Sequence, residues 1–303
     1  VAEVVVLGSL HLDIMVAAPG RPRRGETLAG TAWSQKCGGK GGNQAVEAAR
    51  HGAATAMVGA VGDDDFGRRL LANLRARGVD AAHVAVRPGE NSGMSVAIVD
   101  PGGDYGAIIV SGVNLTLAAD AVAGARDVIA GARWLVLQNE IPDAANLAAA
   151  RLARAAGGRV ILNAAPARPL PEALAALLDV LVVNAIEAEQ LGGGAVRDGA
   201  DAAAAAERLL ATAASVIVTA GGAGLALAER SGGRLILPAH TVRVVSTHGA
   251  GDALIGALAA RLAAGESLAE VARYANAAAA ALVATQEDAR DALTPAAVFA
   301  LLG

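Results

Sequence analysis

Short runs of β-branched and aliphatic residues recur along this chain, each followed by a longer alanine-rich or amphipathic stretch. That alternation between a strand-like and a helix-like pattern is the signature of βαβ units, which bury a mainly parallel sheet between helices. Residues 4–7, 56–61, 134–137, 159–162, 180–183, 216–219 and 225–228 predict strands. Residues 44–50, 66–77, 144–156, 200–213, 250–263 and 268–284 predict the helices between them. The expected fold class is α/β, a Rossmann-like three-layer arrangement, and such sheets bind ligands at the C-terminal ends of their strands.

Two regions depart from the rhythm. Segment 93–111 holds two extended runs around the turn residues Pro101-Gly102-Gly103-Asp104 and predicts a β-hairpin. With extended stretches from segment 10–36 it would form a small sheet over the active face, a lid. No long Pro/Gly/Ser linker and no repeat of solenoid length interrupts residues 1–303, so one domain with a lid is expected rather than two domains.

Composition removes several function classes. Hydrophobic residues make up 54% of the chain, but much of this is alanine, and no uncharged apolar stretch reaches the roughly 18–20 residues of a spanning helix. Val1–Leu7 is too short an apolar run for a secretory leader, and a lone Cys37 forms no internal disulfide, so a cytoplasmic location without membrane contact is expected. A net charge of −4 and 2% aromatic residues predict no nucleic-acid surface; the Arg21–Arg24 run is broken by proline and reads as a solvated turn.

Two glycine clusters carry the chemistry. Ser246-Thr247-His248-Gly249-Ala250-Gly251-Asp252 leads into a long helical pattern, where small residues let backbone N–H groups approach an anion and Asp252 could take a proton from an attacking hydroxyl. Read alone, the same residues could equally make a tight turn in which Asp252 complements the helix dipole. Gly38-Gly39-Lys40-Gly41-Gly42-Asn43-Gln44 precedes another helix and matches neither P-loop nor dinucleotide spacing. It lets the backbone lie near a polyhydroxylated ligand, with Lys40 and Asn43 as donors, or it is a bare turn. A dinucleotide-binding oxidoreductase fails at Gly8-Ser9-Leu10-His11-Leu12-Asp13, which is not G-x-G-x-x-G.

Together these clusters resemble the N- and C-terminal signatures of the ribokinase (PfkB-type) carbohydrate kinases. Gly62-Asp63-Asp64, Gln138 with Glu140, Asn163-Ala164-Ala165-Pro166, Asn184 with Glu187, and Thr219-Ala220-Gly221-Gly222 follow in matching order. The resemblance implies ATP-dependent phosphorylation of a primary hydroxyl on a small sugar. It makes Asp252 the general base and the amides of Gly249, Ala250 and Gly251 the anion hole. It assigns His11, Asp13, Gly39, Lys40, Asn43 and Glu140 to the sugar, and Asn184, Thr219, Gly221, Gly224 and Asn276 to ATP. Glu187 would serve Mg²⁺ through water, and the lid would pair two copies into a homodimer.

The chain also departs from that family. His11 stands where an asparagine is usual, which allows a sugar other than ribose. Ser246 replaces an aspartate that binds the activating potassium ion in ribokinases, and Asp288 and Ala292 stand at the usual glycine and serine positions of the same site. Weak or absent potassium activation is expected, with Arg290 as an alternative source of positive charge near the anion hole. Two other readings remain open at this stage. A nucleoside kinase would use Trp33, Met94 or Tyr105 around the acceptor, and a sugar-responsive binding protein would have lost catalysis.

Overall fold

The computed structural model describes residues 1–102 and 105–303, and within them every side chain except those at positions 105 and 120. Gly103 and Asp104, half of the turn expected at 101–104, lie outside the described residues.

Strands are numbered along the chain. The larger sheet has the order β13 (Arg234–Leu237), β12 (Leu225–Glu229), β11 (Ser215–Thr219), β10 (Val180–Asn184), β9 (Arg159–Asn163), β8 (Trp134–Gln138), β1 (Val4–Leu7), β4 (Thr55–Gly62), β5 (Asp80–Arg87). Neighbours from β5 to β11 run parallel, and the β11–β12 and β12–β13 pairs are antiparallel. A parallel sheet covered by helices on both sides leaves its central strands no polar face, which is why the middles of β1, β8, β9, β10 and β11 are apolar. Val4 and Val6 enter one core with Met57, Val136, Ile161 and Ile217, beneath helices Lys40–Arg50, Ala250–Ala263 and Leu268–Ala284. Val5 and Leu7 enter the other with Ala56, Leu135, Val160 and Val216, beneath helices Asp143–Ala155 and Gly199–Leu209.

The chain lays β4 and β5 on one side of β1 and β8 onward on the other. The strand order therefore reverses between β1 and β8, and open sheets of this kind bind ligands at the C-terminal ends of their strands.

The remaining strands make the small sheet, in the order β3 (Ala32–Gly38), β2 (His11–Ala17), β6 (Gly93–Val99), β7 (Tyr105–Val110). The β6–β7 hairpin is the one the sequence predicts. Side chains alternate across the pleat, so cross-strand register sorts this sheet into two faces. Asp13, Lys36 and Ser95 share one face; Ile14, Gln35, Val96 and Ile108 share the other, together with the Val16–Trp33 pair.

The structure differs from the sequence expectation in short helices such as Ala185–Gln190 and Pro295–Leu302, in two edge strands and in the first helix. Strands β5 and β13 were not expected. β5 lies at one sheet edge and mixes buried with exposed positions, and β13 has four residues of which Arg234 and Ile236 are exposed. The first helix starts at Lys40 rather than Gln44, so the second glycine cluster is itself a helical turn. Its start is held from elsewhere, by Lys40 N–H donating to Glu140 Oε2 (3.0 Å) and Gly42 N–H donating to Ser9 O (3.0 Å).

Glycine lets this helix pack closely on two sides. A Cβ on Gly41 would lie 2.7 Å from Gly8 C and Ser9 N, and one on Gly256 would lie 2.3 Å from Glu47 Cβ and 2.7 Å from Ala48 N. Backbone atoms cannot swing aside as a side chain can. Alanine at position 256 gains up to about 1 kcal/mol of helix propensity, but overpacking costs about 1–3 kcal/mol and outweighs it. Gly256→Ala is therefore expected to lower the melting temperature in a thermal unfolding experiment; a higher one would contradict the close helix contact.

Candidate active site

A cavity of about 230 Å³ lies at the C-terminal edge of the large sheet. Asn163 from β9, Val182 to Asn184 from β10 and Thr219 from β11 form one wall, with Glu187 just beyond. Thr247 to Asp252, at the start of helix Ala250–Ala263, form another, and Lys40 enters from the opposite helix. A larger cavity of about 480 Å³, among Ala167, Arg168, Leu170, Gln190 and Thr212, holds none of the residues predicted for a site. Chemistry therefore belongs to the smaller one.

Asp252 is its best-held acid. Asn43 Nδ2 donates to Asp252 Oδ2 (3.0 Å) and Gln44 Nε2 donates to Oδ1 (2.9 Å). Burial pushes the carboxyl above the usual aspartate range; the Lys40 ammonium and the Gln44 and Asn43 donors pull it back, while Glu140 adds to the rise. Gly249 caps the helix with φ 81°, a left-handed conformation that suits glycine. Of the three amides expected to face an anion, that of Ala250 donates to Thr247 O (3.2 Å), whereas those of Gly249 and Gly251 have no partner among the described residues. They are first-turn donors left over by the helix.

The residues expected to hold a sugar fall on the other side of Asp252. Glu140 is partly buried: its Oε2 accepts from Ser9 Oγ and from Lys40 N–H, and its Oε1 lies 4.0 Å from Lys40 Nζ. Asp13 accepts from Ser95 Oγ across the small sheet. His11 is buried, and its Nε2 has no hydrogen-bond partner among the described residues, a polar atom left for a ligand to meet. Gly39 has φ 84° and no room for a side chain against Ser9, Leu10 and His11, so it serves the backbone turn as well. Trp33 and Met94 project on the face opposite Asp13, away from the acceptor side, and the Tyr105 side chain lies outside the described residues.

On the nucleotide side, Asn184 and Glu187 form a capping box for helix Ala185–Gln190. Asn184 Oδ1 accepts from Glu187 N–H and Glu187 Oε2 from Asn184 N–H, both at 2.9 Å. Glu187 Oε1 is left without a protein partner among the described residues, and burial raises this carboxyl, opposed by the Asn184 bonds and Lys40. One available carboxylate oxygen suits Mg²⁺, which keeps most of its waters and takes phosphate oxygens as ligands. Gly221 and Gly224 sit in the turn after Thr219, both with positive φ; a Cβ on Gly224 would lie 2.0 Å from Leu237 O, so it also joins β12 to the chain after β13. Asn276 does not line the cavity, and its amide donates to Pro238 O (2.9 Å).

Sequence reasoning gave no role to Gln44, although the residue stands inside a quoted motif. Its amide is fully buried and links Asp252 to Gln138, whose Nε2 donates to Gln44 Oε1 (2.9 Å); Asn146 Nδ2 in turn donates to Gln138 O (2.8 Å). A glutamine where the helix pattern places an apolar side chain was the available signal.

The sequence matches the model of the pfkB family of carbohydrate kinases over residues 1–295. It is 37% identical over 265 residues to a mouse ribokinase, covering 86% of this chain and 82% of that protein. It is 34% identical over 260 residues to a Salmonella typhimurium deoxyribokinase, covering 85% and 84%. An Arabidopsis thaliana ribokinase structure, complexed with ribose and ATP, superposes with a TM-score of 0.90 at 29% identity, covering 99% of this chain and 98% of that one. The family match, the curated relatives and the superposition agree: the chain belongs to the pfkB carbohydrate kinase family and is an ATP-dependent carbohydrate kinase.

Proposed function

We propose that this kinase transfers the terminal phosphoryl group of ATP to a primary hydroxyl of a ribose-like sugar, with Asp252 as general base. The observation that carries the reading is the Asp252 carboxylate, held by Asn43 and Gln44 in the first turn of a helix whose Gly249 and Gly251 amides have no partner among the described residues. The sugar hydroxyl gives its proton to Asp252 as its oxygen attacks phosphorus, and the leaving oxygen stays with ADP. The Gly249 and Gly251 amides, with Ala250 between them, stabilise the charge that builds on the transferred group, a contribution of about 10²–10³ in rate for each well-placed donor. His11, Asp13, Gly39, Lys40, Asn43 and Glu140 orient the sugar, and Asn184, Thr219, Gly221 and Gly224 face the nucleotide. Mg²⁺, held by phosphate oxygens and by Glu187 through water, would neutralise phosphate charge.

The ribokinase and deoxyribokinase likenesses favour a pentose. Trp33 and Met94 stand on the face of the small sheet opposite Asp13, which supports a sugar over a nucleoside. The small sheet acts as the lid of a single domain spanning residues 1–303. Its outer face exposes Trp33, Ile108 and Val110, and a second copy of the chain covers it. Among the described residues no helix is long and apolar enough to cross a membrane, and reliance on ATP suits the cytoplasm.

Asp252→Asn is expected to lower kcat by about 10²–10⁴-fold while sugar binding stays measurable by calorimetry. Comparable activity in that variant, across a panel of ribose, deoxyribose, fructose and adenosine, would sink the mechanism. The base must be ionised and burial raises its pKa, so kcat/KM should fall as pH drops, with a midpoint above the ordinary aspartate value near about 3.9. An acid limb at or below that value would contradict the burial argument.

Light scattering on the unaltered protein should give the mass of a dimer, and Ile108→Lys should give a monomer. A monomer before substitution would overturn the pairing.

A further inference from the structure

Helix Leu268–Ala284 is followed by a short 3₁₀ segment, Glu287–Ala292, and its Arg290 is 5% exposed. A buried guanidinium needs acceptors, and here they are backbone oxygens. Nη1 donates to His248 O (2.9 Å), Nη2 to Ser246 O (2.9 Å) and Nε to Thr285 O (3.2 Å). The nearest carboxylate, Glu287, stands 3.8 Å away, is half-exposed, and also accepts from Ser246 Oγ (3.2 Å). Arg290 is thus a tethered cation on which three carbonyl oxygens converge.

Two of those carbonyls belong to the segment that enters the helix of Asp252. The C=O of His248 and the N–H of Gly249 are one planar trans peptide and point in opposite directions. Fixing the carbonyl on Nη1 fixes the Gly249 N–H pointing away from Arg290. The positive charge on the carbonyl side also polarises the peptide and strengthens the opposite donor. Ser246, Asp288 and Ala292 do not supply the oxygen set implied for a potassium ion, and the guanidinium already occupies the carbonyls.

We propose that Arg290 is a built-in replacement for an activating monovalent cation, orienting the Gly249 amide so that turnover needs no dissolved potassium. It is a positioning residue. Its action on rate rests on the anion-hole reading above, whereas its hold on the Ser246–His248 segment does not.

The test compares the unaltered kinase in buffers whose only monovalent cation is potassium, sodium or tetramethylammonium, using the best sugar from the panel. Equal kcat and equal melting temperatures in the three are expected. Potassium stimulation of kcat, or a melting temperature raised by potassium alone, would overturn the proposal. Arg290→Ala should lose about 10²-fold in kcat with sugar KM little changed, the cost of one misplaced donor, and added guanidinium ion should restore part of the loss. Unchanged kcat in Arg290→Ala would also overturn it. Should that variant fail to fold, the melting temperatures of the unaltered protein still decide. Failure of the base assignment shows separately, as activity retained in Asp252→Asn.

Discussion

The two hydrogen bonds that Asn43 and Gln44 give to Asp252 join helix Lys40–Arg50 to helix Ala250–Ala263, and the site depends on that join. Each glycine signature supplies one helix. Gly256 lets the second helix settle on Glu47 and Ala48, which brings Asp252 within reach of both amides. Gly41 seats the first helix on the turn after β1, so the pair is fixed to the centre of the sheet. Packing and catalytic geometry are the same contact read at two scales.

The charges around that contact are balanced rather than paired one to one. Lys40 stands between Asp252 and Glu140, lowering the first and lying 4.0 Å from an oxygen of the second. Burial works against ionisation of Asp252, and also of Glu47 at the contact between the two helices, where Arg50 compensates. A base whose pKa is raised but still opposed by donors is suited to accept a proton in the transition state and release it afterwards. Arg290 adds a buried charge whose hydrogen bonds all go to carbonyl oxygens, with the half-exposed Glu287 carboxylate 3.8 Å away, and so ties down the loop before Asp252.

Much of this was legible in the sequence. The fully apolar strands announced a sheet buried on both faces once their alternation with helices was recognised, and residues 250–263 and 268–284 were delimited correctly. What escaped was set by contacts distant in sequence. The helix start at Lys40 depends on Glu140, a hundred positions away. β5 and β13 draw their pairing from neighbours rather than from their own patterns. Asn276, expected at the nucleotide, takes its amide partner from Pro238, across 38 positions of sequence. Gln44 and Gln138 were visible as residues, but a buried amide relay exists only after the strands and helices have met.

The central claim is that the protein sets the proton affinity of Asp252 through its neighbours on the opposite helix. The direct measurement is the pH dependence of kcat/KM in Gln44→Leu. Removing a donor to the ionised carboxylate raises its pKa, so the acid limb should move to higher pH and kcat should fall, with the KM for ATP unchanged. An acid limb that stays where it is in the unaltered protein would contradict the account.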